Sequence, residues 1–298
     1  MPQYRAHFDA RIAFTNGGDL EAHGFRLDLP SASSDVSQLF VQHLGLALVS
    51  SVTLTNLSIV EEAHKGSRGI AADPVSTGHV IDLSHTIREG LITYPGLPAP
   101  VITPHLTRED SKAKYAPGTE FAMDIITMIG NTGTYIDSPF HRYEAGADLA
   151  GLDLATLVDL PTEVFHVEDI ATRGVPASVF FDRDVRGAAV LIHTGWDRHF
   201  ATPEYLADAP YLEADAVDYL IDQGAVLVGI DSLNIDDTEP AAQGARPAHT
   251  GLLAAGIHVV EHLTNLGDVP ASGARFTAAP PAVEGFGTFP VRAYAIIG

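Results

Sequence analysis

The stretch Gly130-Asn131-Thr132-Gly133-Thr134-Tyr135-Ile136-Asp137-Ser138-Pro139-Phe140-His141-Arg142 is the densest polar cluster in the chain. Pro139 denies it a continuous helix and Gly133 permits tight backbone paths, so it reads as a structured loop from which Asp137 and His141 project. A carboxylate and an imidazole so spaced can share one hard or borderline divalent ion, or act as an acid/base pair. In the plainer alternative, Asp137 caps the backbone amides of the loop and His141 only packs.

Toward the C-terminus lies a second cluster, Arg246-Pro247-Ala248-His249-Thr250-Gly251 followed by Gly256-Ile257-His258-Val259-Val260-Glu261-His262. His249 is expected just before a helix and Glu261 at the end of a strand, so a helix-to-strand return brings both to one sheet edge. Two histidines and two carboxylates then come from two distant segments, a ligand set suited to zinc or manganese. With no cysteine in the chain, disulfides, thiolate zinc sites and a thiol nucleophile are excluded.

Between the clusters the texture is that of a mixed α/β protein. The apolar runs Gly187–Ile192, Ala225–Ile230 and Ile257–Val260 end in polar residues, at His193, Asp231 and Glu261. Two follow helix-like segments closed by glycine, 214–223 before Gly224 and 252–255 before Gly256. Buried strands that end in polar residues are common places for sites.

The N-terminal part differs. Phe8, Ala10, Ile12 and Phe14 alternate with other residues, Asn16-Gly17-Gly18 supplies turn chemistry, and Phe25, Leu27 and Leu29 resume the alternation, which is a hairpin signature. Ser34 is expected to cap a short helix carrying Val36, Leu39, Phe40 and Leu44, and 52–60 reads as a strand. Residues 1–65 therefore form a small ββαβ appendage, 66–78 a linker and 79–298 the main domain. The appendage lacks a cluster of catalytic residue types and reads as an interface or lid module.

The charge supports these limits. Seventeen Lys plus Arg against 38 Asp plus Glu leave a formal charge of −21. No basic face is available to neutralise phosphates, so nucleic acid and anionic membranes are excluded as partners, and a small-molecule substrate is expected. The N-terminus enters an alternating strand and not an apolar signal core, and no apolar run approaches a membrane span, so a cytoplasmic protein is expected. No Gly-x-Ser-x-Gly elbow, phosphate loop or dinucleotide fingerprint occurs. Residues 79–298 carry 12 bases and 30 acids, which places the acidity in the domain with the two clusters and creates a field favourable to a cation.

These segments resemble the cyclase family of metal-dependent hydrolases, which includes bacterial kynurenine formamidase and isatin hydrolase. Asp82-Leu83-Ser84-His85 with Tyr94-Pro95-Gly96 is similar to the family's opening pattern. Its His-x-Gly-Thr-His-x-Asp-x-Pro-x-His signature aligns with Asn131 to His141. The later His and Glu, twelve positions apart, match His249 and Glu261, and Phe276, Pro280, Pro281, Gly285, Gly287 and Pro290-Val291-Arg292 resemble the last strands. The resemblance spans roughly residues 79–298. It implies a swivelling β/β/α fold, a homodimer or homotetramer, and hydrolysis of amides or lactams at one or two divalent ions, zinc or manganese. Carried over by position, Asp137, His249 and Glu261 are metal ligands, and His141 transfers protons or adds a ligand.

The two leading histidines of the signature are replaced here by Asn131 and Tyr135. Asn offers a neutral amide and Tyr a phenol protonated near neutral pH, so the subsite that those histidines build is weakened. Three readings follow. In the first, one ion persists on Asp137, His249 and Glu261, and serves a hydrolase of a small amide, lactam or lactone, with Tyr135 and Asn131 binding the oxyanion. In the second, Tyr135 and His141 carry a metal-free cyclase, dehydratase or isomerase reaction. In the third, the chain is an inactive ligand-binding homologue. Phe140 and Trp196 are expected to contact substrate, although Trp196 has a packing alternative. Asp231 is expected to brace its loop.

Overall fold

Alternation of Phe8, Ala10 and Ile12 buries one face of a strand, and the glycines at 17 and 18 turn the chain back on itself. The computed structural model describes residues 3–62 and 78–298. Within them the first unit is β1 (Gln3–Phe14), β2 (Asp19–Leu29), α1 (Val36–His43) and β3 (Val49–Glu62), with an antiparallel sheet in the order β2-β1-β3. Val36 and Phe40 of α1 pack on Ala6, Phe8 and Ile12, and the Phe8 and Phe40 rings meet edge to face at 5.0 Å. The cap is Asp35 and not Ser34. The Asp35 carboxylate accepts from the Gln38 N–H at 3.1 Å, the charged acceptor being the better match for a helix N-terminus.

The chain divides into two units, Met1–Ser76 and Thr77–Gly298. Apart from Gly78, the linker expected over 66–78 lies outside the described residues.

The second unit runs β4 (His79–Asp82), β5 (Val101–Leu106), α2 (Arg108–Ser111), β6 (Met123–Thr127), β7 (Tyr135–Asp137), β8 (Leu160–His166), β9 (Gly174–Val175), β10 (Ala189–His193), β11 (Tyr211–Leu212), α3 (Ala214–Gln223), β12 (Leu227–Ile230), α4 (Pro247–Ala254), β13 (His258–Glu261), β14 (Ser272–Thr277), β15 (Thr288–Pro290) and β16 (Tyr294–Ile297). Among the described residues these build a nine-stranded sheet in the order β15-β7-β13-β12-β10-β8-β14-β16-β4, with two short two-stranded ribbons, β5-β6 and β9-β11. The middle four strands, β13-β12-β10-β8, are parallel and the flanking ones antiparallel.

Parallel strands covered on both faces read as continuous apolar runs, because successive side chains enter opposite cores. Val190, Ile192, Val228 and Ile230 pack with Ala216, Leu220, Leu252 and Leu253 of α3 and α4. Leu191, Leu227 and Val260 pack with Ile136, Leu160 and Phe276 on the other side. Gly224 closes α3 in the left-handed region (φ 78°), as its sequence position predicts. Among the described residues no helix is long and apolar enough to cross a membrane.

Two local expectations change. The stretch around Asp137 is no loop: Tyr135–Asp137 is a strand between β13 and β15, and the proline-induced turn begins only at Pro139. The last helix begins at Pro247, where a missing N–H costs nothing, so His249 lies in its first turn and not ahead of it.

Candidate active site

Sheet register assembles the site. In β7, Tyr135 lies opposite Glu261 of β13, and Asp137 lies opposite Thr288 of β15. Residues 135 and 137 are two apart and share a face, and their cross-strand partners share it with them. All four side chains therefore converge, buried, at one place. β15 comes close enough because residue 287 is glycine: a Cβ there would stand 2.5 Å from the His141 amide nitrogen.

His249 descends onto this group from α4. Its Nε2 is 3.4 Å from Asp137 Oδ2 and 3.7 Å from Glu261 Oε1. The opposite ring nitrogen, Nδ1–H, donates to Asp236 Oδ2 at 2.6 Å. The same Asp236 carboxylate accepts from the backbone N–H groups of Ala248 (2.6 Å) and His249 (3.1 Å), and so caps α4 while it sets the histidine tautomer. His141 enters beyond the turn. Thr288 gives its hydroxyl proton to Asp137 Oδ1 at 2.5 Å, so in its 2.8 Å contact with His141 Nδ1 the imidazole must donate. Nδ1 is thereby committed to Thr288, and Nε2 is the His141 ring nitrogen left for a proton or an ion. Asp137, His141 and His249 offer ligand atoms that all lie within 4.8 Å of one another.

The charges are tuned by burial and by one another. Burial opposes ionisation of Asp137, but the His249 and His141 imidazoles and the Thr288 hydroxyl outweigh it and hold the pKa below its ordinary value. Burial likewise disfavours charge on His249, yet Asp137, Asp236 and Glu261 raise its pKa well above 6.5. Glu261 is pushed up to about 7, chiefly by burial and then by the nearby Asp137 charge, against the opposing pull of His249.

Tyr135 and Asn131 occupy the other side. The Tyr135 phenol donates to Glu261 Oε2 at 2.6 Å, while Glu261 Oε1 accepts from the Ile235 N–H at 2.7 Å. Burial, followed by the Glu261 and Asp137 charges, raises the phenol's pKa well above 10, so it stays protonated. Asn131 lines the same cavity as the phenol, and His262 Nε2 lies 3.3 Å from the phenol oxygen. A cavity of about 450 Å³ opens over this group, lined by Asn131, His141, His249 and Glu261 and by Arg142 and Arg246.

Neither Phe140 nor Trp196 lines that cavity. Trp196 donates its indole N–H to the Tyr205 carbonyl at 3.1 Å and packs with Tyr205 and Leu233. Asp231 accepts from the Thr194 N–H, the Thr194 hydroxyl and the Gly195 N–H at 2.5–2.8 Å, bracing the loop after β10. His85 stacks on Phe200, with centroids 3.6 Å apart.

A family model described as a putative cyclase matches residues 81–237. The kynurenine formamidase of Geobacillus thermodenitrificans is 32% identical over 216 residues, a match that covers 72% of this chain and 95% of that enzyme. The chain belongs to the cyclase family. A solved structure described as a potential metal-dependent hydrolase with cyclase activity superposes on this cyclase-family chain with a TM-score of 0.59 at 28% identity, covering 73% of this chain and 96% of the other. An isatin hydrolase bound to the product analogue thioisatinate shares the fold, with a TM-score of 0.62 at 22% identity over 74% of this chain and 93% of that one.

Asp236 and Thr288 join the site although the sequence does not single them out as site residues. Asp236 closes the Asp231-Ser232-Leu233-Asn234-Ile235-Asp236 loop after β12, where the first aspartate drew attention as the loop's brace. Thr288 carries no signal of its own, since only the β15–β7 register sets it beside Asp137.

Proposed function

We propose that this cyclase-family protein is a metal-dependent hydrolase of a small amide, lactam or lactone, and that it works with one divalent ion, zinc or manganese, on Asp137, His249 and Glu261. The observation that carries the reading is Asp137 Oδ2, a buried carboxylate oxygen without a hydrogen-bond partner that faces His249 Nε2. Such an atom is costly unless a cation or proton completes it. The donor set of one imidazole and two carboxylates suits a borderline ion. Single occupancy is supported by Tyr135, whose protonated phenol holds Glu261 Oε2 where the family signature has a histidine.

When bound, the ion supplies Lewis acidity, which lowers the pKa of water and polarises a carbonyl. Asp236 holds His249 Nδ1–H, so that Nε2 is the ring nitrogen that would face a bound ion once its own proton is displaced. His141, oriented through Thr288, accepts a proton from the attacking water at Nε2 and returns it to the leaving nitrogen or oxygen. The Asn131 amide, on the cavity wall, is placed to donate to the developing oxyanion, whereas the one proton of Tyr135 is committed to Glu261. Arg142 and Arg246 at the cavity favour a substrate that also carries a carboxylate. A homodimer or homotetramer is part of the proposal; it is supported by the β5-β6 ribbon, which leaves Val101, Ile102, Met123, Ile125 and Ile126 exposed.

The test is to load purified protein with zinc, manganese, cobalt or nickel, count bound metal by mass spectrometry, and assay formamides, lactams and lactones. Hydrolysis that chelation removes and metal restores is expected. No binding and no turnover with any of the four ions sinks the reading.

A further inference from the structure

A second cluster of ligating side chains lies at the carboxyl ends of β8 and β10. These strands are parallel, with His166 in register with His193. In-register residues on neighbouring strands project from one face with backbones about 4.8 Å apart. Past the end of β8 the chain turns at Glu168, whose carboxylate reaches back to the same pair. The His166 and His193 Nδ1 atoms are 2.8 Å apart, Glu168 Oε1 is 3.1 Å from His193 Nδ1, and one ligand atom from each of the three residues lies within 4.8 Å of the others.

We propose that His166, Glu168 and His193 form a binding site for a divalent cation of the zinc, nickel or cobalt class, separate from the catalytic cavity. Two imidazoles and one carboxylate are the ligands such ions take in a protein without cysteine. Metal–nitrogen bonds of about 2.0–2.1 Å at a tetrahedral angle set two nitrogens about 3.3 Å apart, so small rotations of two side chains convert the observed pair into a chelate. The His193 ring is already held in place. Its Nε2 is 3.9 Å from Asp231 Oδ2, itself fixed by Thr194 and Gly195, and the Cε1–Nε2 edge of the ring is so close to Gly267 that a Cβ there would stand 3.2 Å from Cε1. His166 and Glu168 are exposed, which gives an ion an entry path and leaves its remaining positions to water. β10 and β8 stand two and three places from β13 in the sheet, roughly 10–15 Å by strand spacing, so one ion cannot serve both clusters. Bound there, the ion ties the ends of two central strands together.

Full-length protein is stripped with chelator, equilibrated with micromolar zinc sulfate and assayed for bound zinc by mass spectrometry, with cobalt absorption as a second readout. The expected result is that His166→Gln and Glu168→Gln each bind one zinc fewer per chain than wild type and lose one cobalt spectral component. His249→Ala removes a different equivalent, so failure of the catalytic ion and failure of this one are told apart. The exposed positions 166 and 168 keep the test valid if His193→Gln does not fold. If His166→Gln and Glu168→Gln both bind as many zinc ions as wild type, or if wild type binds only the zinc that His249→Ala removes, the site does not exist.

Discussion

Two groups of histidine and carboxylate share one sheet and differ in nearly everything that surrounds them. Around Asp137, His249 and Glu261 the side chains are buried, and most of their polar atoms are bound by a group that does no chemistry itself: Asp236 on His249, Thr288 between Asp137 and His141, Tyr135 and the Ile235 amide on Glu261. Around His166, Glu168 and His193 only the His193 ring is fenced, and the other two side chains are exposed. Low dielectric and fixed partners let the first group hold shifted pKa values and an unsatisfied oxygen ready for a cation. The second has ligand types and spacing but not the supporting shell. Chemistry is therefore assigned to the buried group and simple cation binding to the exposed one.

The largest test of that contrast is His141→Ala. Loss of the proton-transfer group from a metal-loaded enzyme is expected to lower kcat by roughly 10²–10⁴-fold, with bound metal unchanged. Loss of metal together with activity would recast His141 as a ligand. Asp236→Asn attacks the supporting shell: the neutral amide no longer anchors the Nδ1–H tautomer of His249 as a carboxylate does, and metal affinity or kcat/KM is expected to fall by about 10–100-fold. A fall below twofold would erase the difference drawn here between supported and unsupported ligands.

Tyr135→Phe leaves Glu261 Oε2 with only the 3.5 Å contact from Asn234. A cost of about 1–3 kcal/mol in denaturant unfolding is expected, with hydrolysis retained, since the phenolic proton serves Glu261. Complete loss of turnover in this variant, with activity in wild type that resists chelation, would instead place Tyr135 in the chemistry. The smallest effect concerns a histidine buried without a carboxylate. Burial lowers the His258 pKa from 6.5 to about 4, and Thr156 is its hydrogen-bond partner. Because the unfolded chain binds that proton first, the contribution of His258 is fully present above pH 6.5 and is lost as pH falls toward 4. At about pH 5.5 the loss is ~1 kcal/mol, and His258→Gln should flatten the slope of stability against pH. An unchanged slope would mean that other groups govern the acid limb.

Much of this site is legible in the sequence. Asp137, His141, His249 and Glu261 stand out because glycine, proline and strand-end positions frame them, and another glycine, Gly224, marks the end of α3. Asp236 and Thr288 were not legible, since an aspartate closing a polar loop and a lone threonine resemble many others. From sequence Asp137 reads as a loop residue because a strand of three residues, Tyr135–Asp137, leaves no periodic pattern to detect. His166 and Glu168 gave no signal either, because their partner His193 lies in another strand.

The amino-acid sequence by itself determined the elements: apolar runs that must be buried on both faces, their capping glycines, the excess of acid over base, and the two segments that carry ligand-type residues. Register was left to the tertiary structure. Whether Tyr135 faces Glu261, Thr288 faces Asp137 or His166 faces His193 depends on which strands pair and at what offset, and a shift of one residue would turn each side chain to the opposite face. That offset is set by the packing of two cores on the sheet and by close approaches such as that of Gly287 to His141, interactions between residues far apart in the chain that local pattern cannot encode.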